Sequence, residues 1–343
     1  MMGGKNRQWL LASRPEGMFS EQNFKWTETS IPTPRDGEVL LRNLWISCDP
    51  TQIGWMKADT YAPKVPLGEV MRAFGVSQVI ESRNAGFKVG ELVTGPIGWQ
   101  DYVATSRGGL SPLARVPPGV APELAMSLLG GTGLTAYFGV TDIGKVRSGE
   151  TFVVSSAAGA VGSIAGQIAK ILGARVVGIA GGPAKCEWLR KEAGFDAAID
   201  YRGEQVGPRL SETCPHGIDV YFDNVGGEIL DEVLARINLH ARIVMCGAIS
   251  NYVAWEFRPL RNYSILIRSR GRMEGFLIFD YAARFSEALP VLARWHAEGR
   301  LKQRVDIAVG LENAPKTLAR LFKGENFGKQ LLKLADPPLP IPS

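Results

Sequence analysis

The middle of the chain alternates short apolar runs with stretches that suit helices. Residues 151–170 predict a strand, a glycine turn and a helix, and the alternation then continues to about residue 298. Further strands are predicted at 174–180, 197–200, 217–223, 241–247 and near 272–278, and further helices at 184–192, 228–237 and 282–298. Repeated βα units of this kind predict an α/β fold, a doubly wound parallel sheet with helices on both faces.

The two ends of the chain have a different pattern. Up to about residue 122, short β-like runs at 38–42, 75–80 and 91–94 are separated by Gly and Pro, which is typical of a barrel-like β domain. A short helix and strands after Leu301 are expected to return to that domain. We therefore expect a barrel domain over 1–125 and 301–335, a Rossmann domain over 126–300 inserted between its parts, and an extended or flexible tail over 336–343.

One strand-to-helix junction carries the most informative motif. Ala157, Gly159 and Gly162 form an A-x-G-x-x-G pattern between the predicted strand and helix. Gly159 lacks the Cβ that would keep the backbone away from a pyrophosphate, and Gly162 lets the helix lie close to the sheet. The pattern indicates a dinucleotide at the helix N-terminus.

The end of the next strand decides which dinucleotide is expected. An NAD site usually carries an Asp or Glu about 20 residues after the glycines, where it binds the ribose 2′-hydroxyl. This chain has Ala180-Gly-Gly-Pro-Ala-Lys185 there, without a carboxylate that would repel a 2′-phosphate. Lys185 could pair with that phosphate and Tyr201 could close over it, so NADPH is the expected cofactor. The alternative is that Lys185 is a solvated lysine in the first turn of a helix.

Composition and charge set the outer limits. The chain has 343 residues, 45% of them hydrophobic and 21% charged, which is typical of a globular protein of two domains. The net charge of +5 comes from 39 basic and 34 acidic residues spread along the chain, without the basic and aromatic runs of a nucleic-acid-binding protein. The charge-free segments 124–141 and 151–169 are rich in Gly, Ser and Thr, so we expect no membrane span.

The cysteines indicate a reducing compartment. Cys48, Cys186, Cys214 and Cys246 lie far apart and form no C-x-x-C pair, and the first residues do not resemble a secretory leader. We therefore expect free thiols and a cytoplasmic protein.

Five ordered motifs together resemble one protein family. They are AAGAVGS at 157–163, YFDNVGG at 221–227, CGAISNY at 246–252, RMEGF at 272–276 and GENFGK at 324–329. They are similar to motifs of the zinc-independent medium-chain dehydrogenase/reductase superfamily, in the branch of prostaglandin reductases, leukotriene hydroxydehydrogenases and double-bond reductases. The resemblance covers nearly the whole chain. It implies a Rossmann domain inserted into a GroES-like barrel domain, and a homodimer.

The resemblance also implies which residues contact NADPH. The matching positions hold the pyrophosphate, the 2′-phosphate and the surroundings of the nicotinamide in that family. In this chain they are Ala158, Gly159, Ala160, Val161, Gly162, Lys185, Tyr201, Asn224, Cys246, Gly247, Ala248, Ile249, Ser250, Tyr252, Phe276, Leu277, Ile278 and Asn326.

A catalytic zinc ion is not expected. Such a site needs about three protein ligands from Cys, His, Asp or Glu. The histidines, His216, His240 and His296, fall in the predicted Rossmann domain, and Glu69 has no neighbouring histidine. Cys48 is interpreted as a small core residue.

Without a metal, reduction has to depend on the cofactor and on hydrogen-bond donors. Hydride delivery to the β-carbon of a C=C bond conjugated to a carbonyl builds negative charge on the carbonyl oxygen. A tyrosine hydroxyl can stabilise that charge and supply a proton. Members of the family carry a tyrosine eight residues before the phenylalanine of the RMEGF-like motif, but this chain has Arg268 there.

Three tyrosines are candidates for the missing donor. They are Tyr61, Tyr252 and Tyr263, of which Tyr61 and then Tyr252 are preferred; each could instead be an aromatic residue that packs a loop. The ribose 2′-hydroxyl of the cofactor and solvent are an alternative proton source, and then no single tyrosine would be essential. Trp55 and Trp99 either wall an apolar substrate cleft between the domains or belong to the core.

The expected activity is NADPH-dependent reduction of the C=C bond of small α,β-unsaturated aldehydes and ketones. The sequence leaves two alternatives open. One is an NADPH:quinone reductase, which the same zinc-free fold supports, and the other is a binding protein that senses NADPH without turning it over.

Overall fold

The computed structural model of the chain describes residues 4–106, 112–253 and 259–342. The strands in these ranges are β1 (Lys5–Leu11), β2 (Phe24–Ser30), β3 (Val39–Ser47), β4 (Phe74–Ser82), β5 (Leu92–Pro96), β6 (Tyr102–Thr105), β7 (Ala114–Arg115), β8 (Thr151–Ser155), β9 (Arg175–Ala180), β10 (Ala197–Asp200), β11 (Ile218–Asp223), β12 (Ile237–Met245), β13 (Arg272–Gly275), β14 (Val305–Val309) and β15 (Lys329–Lys333). The α-helices are α1 (Thr51–Lys57), α2 (Pro122–Ala125), α3 (Gly131–Phe138), α4 (Ala160–Ile171), α5 (Pro183–Lys191), α6 (Val206–Thr213), α7 (Gly227–Leu234), α8 (Ile249–Tyr252), α9 (Ile265–Ser269), α10 (Phe285–Ala297) and α11 (Ala314–Lys323).

Strands from both ends of the chain build one sheet. Its order is β14-β15-β3-β4-β5-β7, and β6 also pairs with β3. β15 runs antiparallel to β3 with Leu332 opposite Ile46, so the last strands return to the sheet formed by the first 115 residues. β3 is buried along almost its whole length, which explains its run of apolar residues. The β-rich domain expected from the sequence is confirmed, and its boundaries stay a prediction.

A second sheet forms the middle of the molecule. Its strands are all parallel and lie in the order β10-β9-β8-β11-β12-β13. Counted from β8, this is the 3-2-1-4-5-6 order of the Rossmann fold, in which the strand order reverses between β8 and β11. Phe152 and Val154 of β8 pack in the core on one face and Val153 in the core on the other, as the two-residue period of a strand requires. The doubly wound sheet predicted from the sequence is therefore confirmed.

Some strands and helices begin or end at other residues than the sequence predicts, because contacts with other segments lengthen or shorten them. β12 begins at Ile237, earlier than the predicted 241, because Ile237 pairs with Ile218 of β11. The predicted strand at 272–278 ends at Gly275, and a 3-10 turn, Ile278–Arg284, occupies the predicted start of helix α10. Helix α6 was not predicted, since Gly207 and Pro208 lie in its first turn.

The C-terminal tail contacts β4 of the β-rich domain, and the expectation that it is extended or flexible stays a prediction. Residues 336–342 contain no helix or strand. The buried Gln78 side chain donates to the Leu339 carbonyl at 2.8 Å and to the Gly90 carbonyl at 3.0 Å, and it accepts the Leu339 N–H at 3.0 Å, so both polar atoms of this buried amide have partners. Among the described helices, none is long and apolar enough to cross a membrane.

Candidate functional site

A cleft opens at the carboxyl ends of β8, β9 and β11, the position where open α/β sheets bind ligands. Its volume is about 310 Å³, and α11 of the β-rich domain forms the opposite wall. The lining residues that the sequence predicted are Ala158, Gly159, Lys185, Tyr201, Ile249, Ser250 and Asn326. The lining residues that it missed are Ser156, Ala180, Gly181, Val225, Ile229, Val253, Leu321, Phe322 and Gly324.

The turn between β8 and α4 explains both glycines. Ser156 adopts a left-handed conformation with φ of 49°, and its carbonyl accepts the Gly159 N–H at 2.8 Å. A Cβ on Gly159 would lie 2.7 Å from Ser156 Oγ, and a Cβ on Gly162 would lie 2.4 Å from the Ser156 carbonyl oxygen. Only glycine therefore lets α4 start this close to the turn, where its free N–H groups face the cleft.

Replacing Gly162 by alanine is expected to lower the free energy of unfolding by about 1–3 kcal/mol, since the new methyl group would overlap backbone atoms. It should also weaken dinucleotide binding, because α4 has to move away from the turn. Gly131→Ala is the matched control, as its Cβ would meet nothing within 4 Å. Thermal unfolding and a fluorescence titration measure both quantities, and equal effects of the two substitutions would contradict the explanation.

Two cations and a tyrosine meet at the far end of the cleft. Lys185 Nζ donates to the Gly324 carbonyl at 2.8 Å, and Arg202 Nη2 donates to the Lys323 carbonyl at 2.8 Å. The Tyr201 ring lies over Gly181, whose Cβ would come within 2.8 Å of the ring. Burial, and then the charge of Arg202, lowers the pKa of Lys185. The group offers two positive charges and a phenol to an anion of the size of a phosphate.

Arg202 is the member of this group that sequence reasoning missed. It directly follows Tyr201, just after β10. Because Tyr201 was predicted to contact the 2′-phosphate, its cationic neighbour in the sequence could have been predicted there as well. The carboxylate of Asp200, also at this strand end, accepts the N–H groups of Gly182 at 2.7 Å and Arg202 at 3.0 Å. Asp200 therefore shapes the two loops that carry the cations.

The opposite end of the cleft is built around the buried side chain of Asp223. That carboxylate accepts hydrogen bonds from the Tyr221 hydroxyl at 2.8 Å and the Ser155 hydroxyl at 2.9 Å. Burial raises the pKa of Asp223, and its hydrogen bonds oppose the change. Asn224 donates its amide to the Ser155 carbonyl at 2.8 Å, and Cys246 donates its N–H to the Asp223 carbonyl at 2.9 Å. The ends of β8, β11 and β12 are thus held together beside the cleft.

Tyr252 lies near the same strand ends. Its hydroxyl oxygen accepts the Ala248 N–H at 3.1 Å, which leaves the hydroxyl proton free to be donated. Burial raises the pKa of Tyr252. Lys57 at the end of α1 donates to the Val253 carbonyl at 2.5 Å, so the β-rich domain fixes the segment that carries this tyrosine.

Tyr61 belongs to an aromatic cluster, which consists of Trp55, Tyr61, Phe74 and Phe279. The Tyr61 ring centroid lies 6.2 Å from that of Trp55 and 5.8 Å from that of Phe279, and Phe74 contacts both of these neighbours. Burial raises the pKa of Tyr61, hydrogen bonding with Thr51 opposes this, and the nearby Asp49 and Tyr252 raise it further. Tyr252, from the Rossmann domain, packs against the core of the β-rich domain to which Trp55 belongs.

Other residues that the sequence analysis named do not line the cleft. Tyr263 is 62% exposed, and Arg268 is exposed on α9. The Phe276 ring packs into the core of the Rossmann domain against Tyr281, at a centroid distance of 6.2 Å. Trp99 is fully buried against Phe24 at 5.0 Å, so it is a core residue. The remaining predicted cofactor residues outside the cleft lining are Ala160, Val161, Gly162, Asn224, Cys246, Gly247, Ala248, Tyr252, Leu277 and Ile278.

The whole chain resembles proteins of known activity. A profile described as the N-terminal domain of oxidoreductase matches residues 7–113, and one described as zinc-binding dehydrogenase matches residues 160–294. The NADPH-dependent curcumin reductase of Escherichia coli (strain K12) is 41% identical over 96% of this chain and 97% of its own length. Prostaglandin reductase 1 of Bos taurus is 37% identical over 95% of this chain and 98% of its own length. This chain belongs to the zinc-independent medium-chain dehydrogenase/reductase family.

A solved structure extends the likeness to the fold. The crystal structure of CurA from Vibrio vulnificus in complex with NADPH matches this member of the family with a TM-score of 0.91. The two chains are 41% identical, and the match covers 96% of this chain and all of the other. The family assigned by resemblance from the sequence is confirmed.

The side chains of this family member offer little to a metal ion, although one matching profile is described as zinc-binding. Within residues 4–106, 112–253 and 259–342, no three side chains of Cys, His, Asp or Glu come together as a metal ligand set would. Cys48 is buried in the core of the β-rich domain, and burial raises the pKa of its thiol to about 12.

The thiols are expected to resist alkylation. Burial raises the pKa of Cys48 and of Cys246 to about 12, and that of Cys186 to about 11. At pH 8 the reactive thiolate is then roughly one part in ten thousand for a thiol of pKa about 12. The intact mass of the native protein should stay unchanged after an hour with iodoacetamide, while the unfolded protein takes up label. Rapid labelling of native Cys246 would show that its thiol is reactive in the folded protein and would contradict the expectation.

Proposed function

We propose that the protein is an NADPH-dependent reductase of the C=C bond of α,β-unsaturated aldehydes and ketones, acting without zinc. One observation carries the proposal: a cleft lined by Lys185 and Tyr201, with Arg202 beside it, also contains Gly159 at the start of α4 and Ile249, Ser250 and Val253 of the segment that carries Tyr252. The cations and the α4 N-terminus fit the NADP phosphate and pyrophosphate, and a tyrosine of this region can donate to a substrate carbonyl oxygen that becomes negative. Curcumin, which a relative at 41% identity is described as reducing, is itself a conjugated enone.

The residues present fit the cofactor. Lys185 and Arg202 would bind the 2′-phosphate as charge-assisted donors, with Tyr201 over it. The N–H groups at the start of α4 would bind the pyrophosphate, for which Gly159 leaves room. Asn224 and the segment 246–252 would border the nicotinamide, as the family resemblance implies. When bound, NADPH supplies a hydride from its nicotinamide ring.

The protein itself has to stabilise the charge that this hydride creates. As a hydride reaches the β-carbon, electrons of the C=C bond move towards the carbonyl oxygen of the substrate. A hydroxyl proton of Tyr61 or Tyr252 pointing at this oxygen stabilises the enolate and can be donated to it. Phe74 and Phe279, which are half-buried, offer apolar surfaces to a conjugated substrate, and the buried Trp55 packs against Phe74.

Steady-state oxidation of NADPH and NADH, with an enone and a quinone in parallel and with a chelator added, tests this activity. We expect NADPH to be oxidised faster than NADH, the enone to be preferred, and the chelator to have no effect. A clear preference for the quinone would make the protein a quinone reductase. Tight NADPH binding without turnover of any acceptor would make it a sensor.

We further propose a homodimer in the cytoplasm. Among the described strands, β13 pairs only with β12, so its other edge has free backbone groups. Ile267 and Tyr263, shortly before β13 in the chain, are 79% and 62% exposed. Light scattering after gel filtration should give the mass of two chains, and a single-chain mass would contradict the dimer. All four cysteines are free, which supports a reducing compartment.

A further inference from the structure

One buried carboxylate near the cleft has no part in the chemistry proposed above. Asp223, at the end of β11, is fully buried, and in the described part of the chain no lysine, arginine or histidine forms an ion pair with it. Its carboxylate accepts hydrogen bonds from neutral donors, which belong to Ser155, Tyr221, Val225 and Gly226. Because a buried charge is normally paired with an opposite charge, this arrangement calls for an explanation.

The donors around Asp223 favour its ionised form. The N–H of Val225 donates at 2.9 Å and that of Gly226 at 3.0 and 3.1 Å, and a backbone N–H can only donate. The Ser155 hydroxyl oxygen accepts the Asn224 N–H at 2.8 Å, so the hydroxyl proton is available for Asp223. Burial raises the pKa of Asp223, and these hydrogen bonds oppose the change. We therefore expect a carboxylate at neutral pH.

The Asp223 carboxylate lies beside the wall of the cleft. Val225, whose N–H binds the carboxylate, lines the cleft, and its carbonyl accepts the N–H of Ser250, another lining residue, at 3.1 Å. The Asp223 carbonyl accepts the Cys246 N–H at 2.9 Å, so the segment 246–252 is attached to the same turn. That segment borders the nicotinamide in the binding mode proposed above. The charge of Asp223 therefore acts on that end of the cleft.

We propose that the Asp223 carboxylate stabilises the positive charge that the nicotinamide ring gains when NADPH gives up its hydride. This inference rests on the proposed reduction of enones. The ring is neutral in NADPH and positive in NADP⁺, so a fixed negative charge nearby stabilises the oxidised cofactor more than the reduced one. Asp223 need not touch the ring, because a charge in a medium of low dielectric constant acts over several ångströms.

The role leaves the protonation of Asp223 unchanged. A C–H bond of the nicotinamide ring breaks, and its electron pair forms the new C–H bond at the β-carbon of the enone. The electron pair of the C=C bond moves to the carbonyl oxygen, and the enolate takes a proton from a tyrosine or from solvent. Asp223 gives up no proton and accepts none; its charge offsets the positive charge of the ring.

Asp223→Asn removes the charge and keeps most of the hydrogen bonds. One carboxylate oxygen accepts from all four donors, so the amide oxygen of asparagine can replace it, while the other oxygen accepts the Gly226 N–H at 3.1 Å. We expect the Kd for NADP⁺ to rise about 10-fold, the effect of one charge several ångströms away at an effective dielectric constant of about 20. The Kd for NADPH should change much less, and the rate of hydride transfer to an enone should fall. Fluorescence titration with both dinucleotides gives the ratio of the two constants.

Tyr221→Phe is the matched control, because it takes one donor away from the same carboxylate and leaves the charge in place. It should keep the ratio of the two dissociation constants within about twofold of that of the unmodified protein, since no charge is lost. Equal weakening of NADPH and NADP⁺ by Asp223→Asn would show that Asp223 only shapes the turn, and would overturn the inference.

A measurement on the unmodified protein covers the case in which Asp223→Asn does not fold. The unmodified protein should bind NADP⁺ at least as tightly as NADPH, and clearly weaker binding of NADP⁺ would also overturn the inference. Failure of the unmodified protein to reduce any enone would instead overturn the proposed function, and both dissociation constants could still be measured.

Discussion

Tyr61→Phe is expected to lower kcat for enone reduction by about 100-fold or more, the lower end of what a positioned general acid contributes. The substitution removes the hydroxyl but keeps the ring, so the contacts with Trp55 and Phe279 remain. Because Tyr61 is remote from the cations of the adenosine end, the Kd for NADPH should not change. Stopped-flow oxidation of bound NADPH by an excess of enone measures the chemical step directly.

Tyr252→Phe tests the other candidate proton donor. The hydroxyl oxygen of Tyr252 accepts the Ala248 N–H. Removing this hydroxyl leaves the Ala248 N–H without a partner, so the substitution should lower the free energy of unfolding as well as kcat. We expect a smaller fall in kcat than for Tyr61→Phe. If neither substitution reduces kcat, the proton comes from the ribose 2′-hydroxyl or from solvent, and the assignment of Tyr61 as proton donor is wrong.

The second large effect concerns cofactor choice. Removing both cations in Lys185→Ala/Arg202→Ala is expected to raise the Kd for NADPH by about 100- to 10,000-fold, since each hydrogen bond to a charged group is worth about 1.5–3 kcal/mol. The Kd for NADH should change little, because NADH has no 2′-phosphate. Fluorescence titration with both dinucleotides gives the ratio of the two dissociation constants.

Lys191→Ala is the matched control for the loss of charge. Lys191 is on the same helix, α5, but its exposed side chain pairs with Glu187 at 2.6 Å. Lys191→Ala should change the Kd values for NADPH and NADH by less than about twofold, because an exposed ion pair contributes little. Equal weakening of NADPH and NADH by the double substitution would mean that the cations hold α11 in place rather than recognise phosphate.

The sequence predicted those parts of the site that depend on local backbone geometry. A glycine turn between a strand and a helix is specified by residues within one short segment, so Gly159 and Gly162 could be assigned their roles directly. Lys185 was expected in the first turn of a helix, and it lies in the first turn of α5 with its Nζ beside the Gly324 carbonyl. Its role in binding a 2′-phosphate stays a prediction. The parallel sheet with helices on both faces was expected from the repeated βα units.

The remaining parts depend on contacts between distant segments. Arg202 bonds to carbonyls at the end of α11, 121 residues away in the chain, and no local pattern predicts that meeting. The aromatic cluster needs Phe279 from the Rossmann domain beside Trp55 and Tyr61. Resemblance gave Phe276 a position near the cofactor, but it could not show that its ring would turn into the core.

The position of the transferred hydrogen in the product distinguishes reduction of the C=C bond from reduction of the carbonyl. The protein would be incubated with an enone and NADPH deuterated at the reactive nicotinamide carbon, and the product analysed by NMR. We expect a saturated ketone with deuterium on the former β-carbon, formed equally well with a chelator present. Deuterium on the carbonyl carbon of an unsaturated alcohol would show that the protein reduces the carbonyl and not the C=C bond.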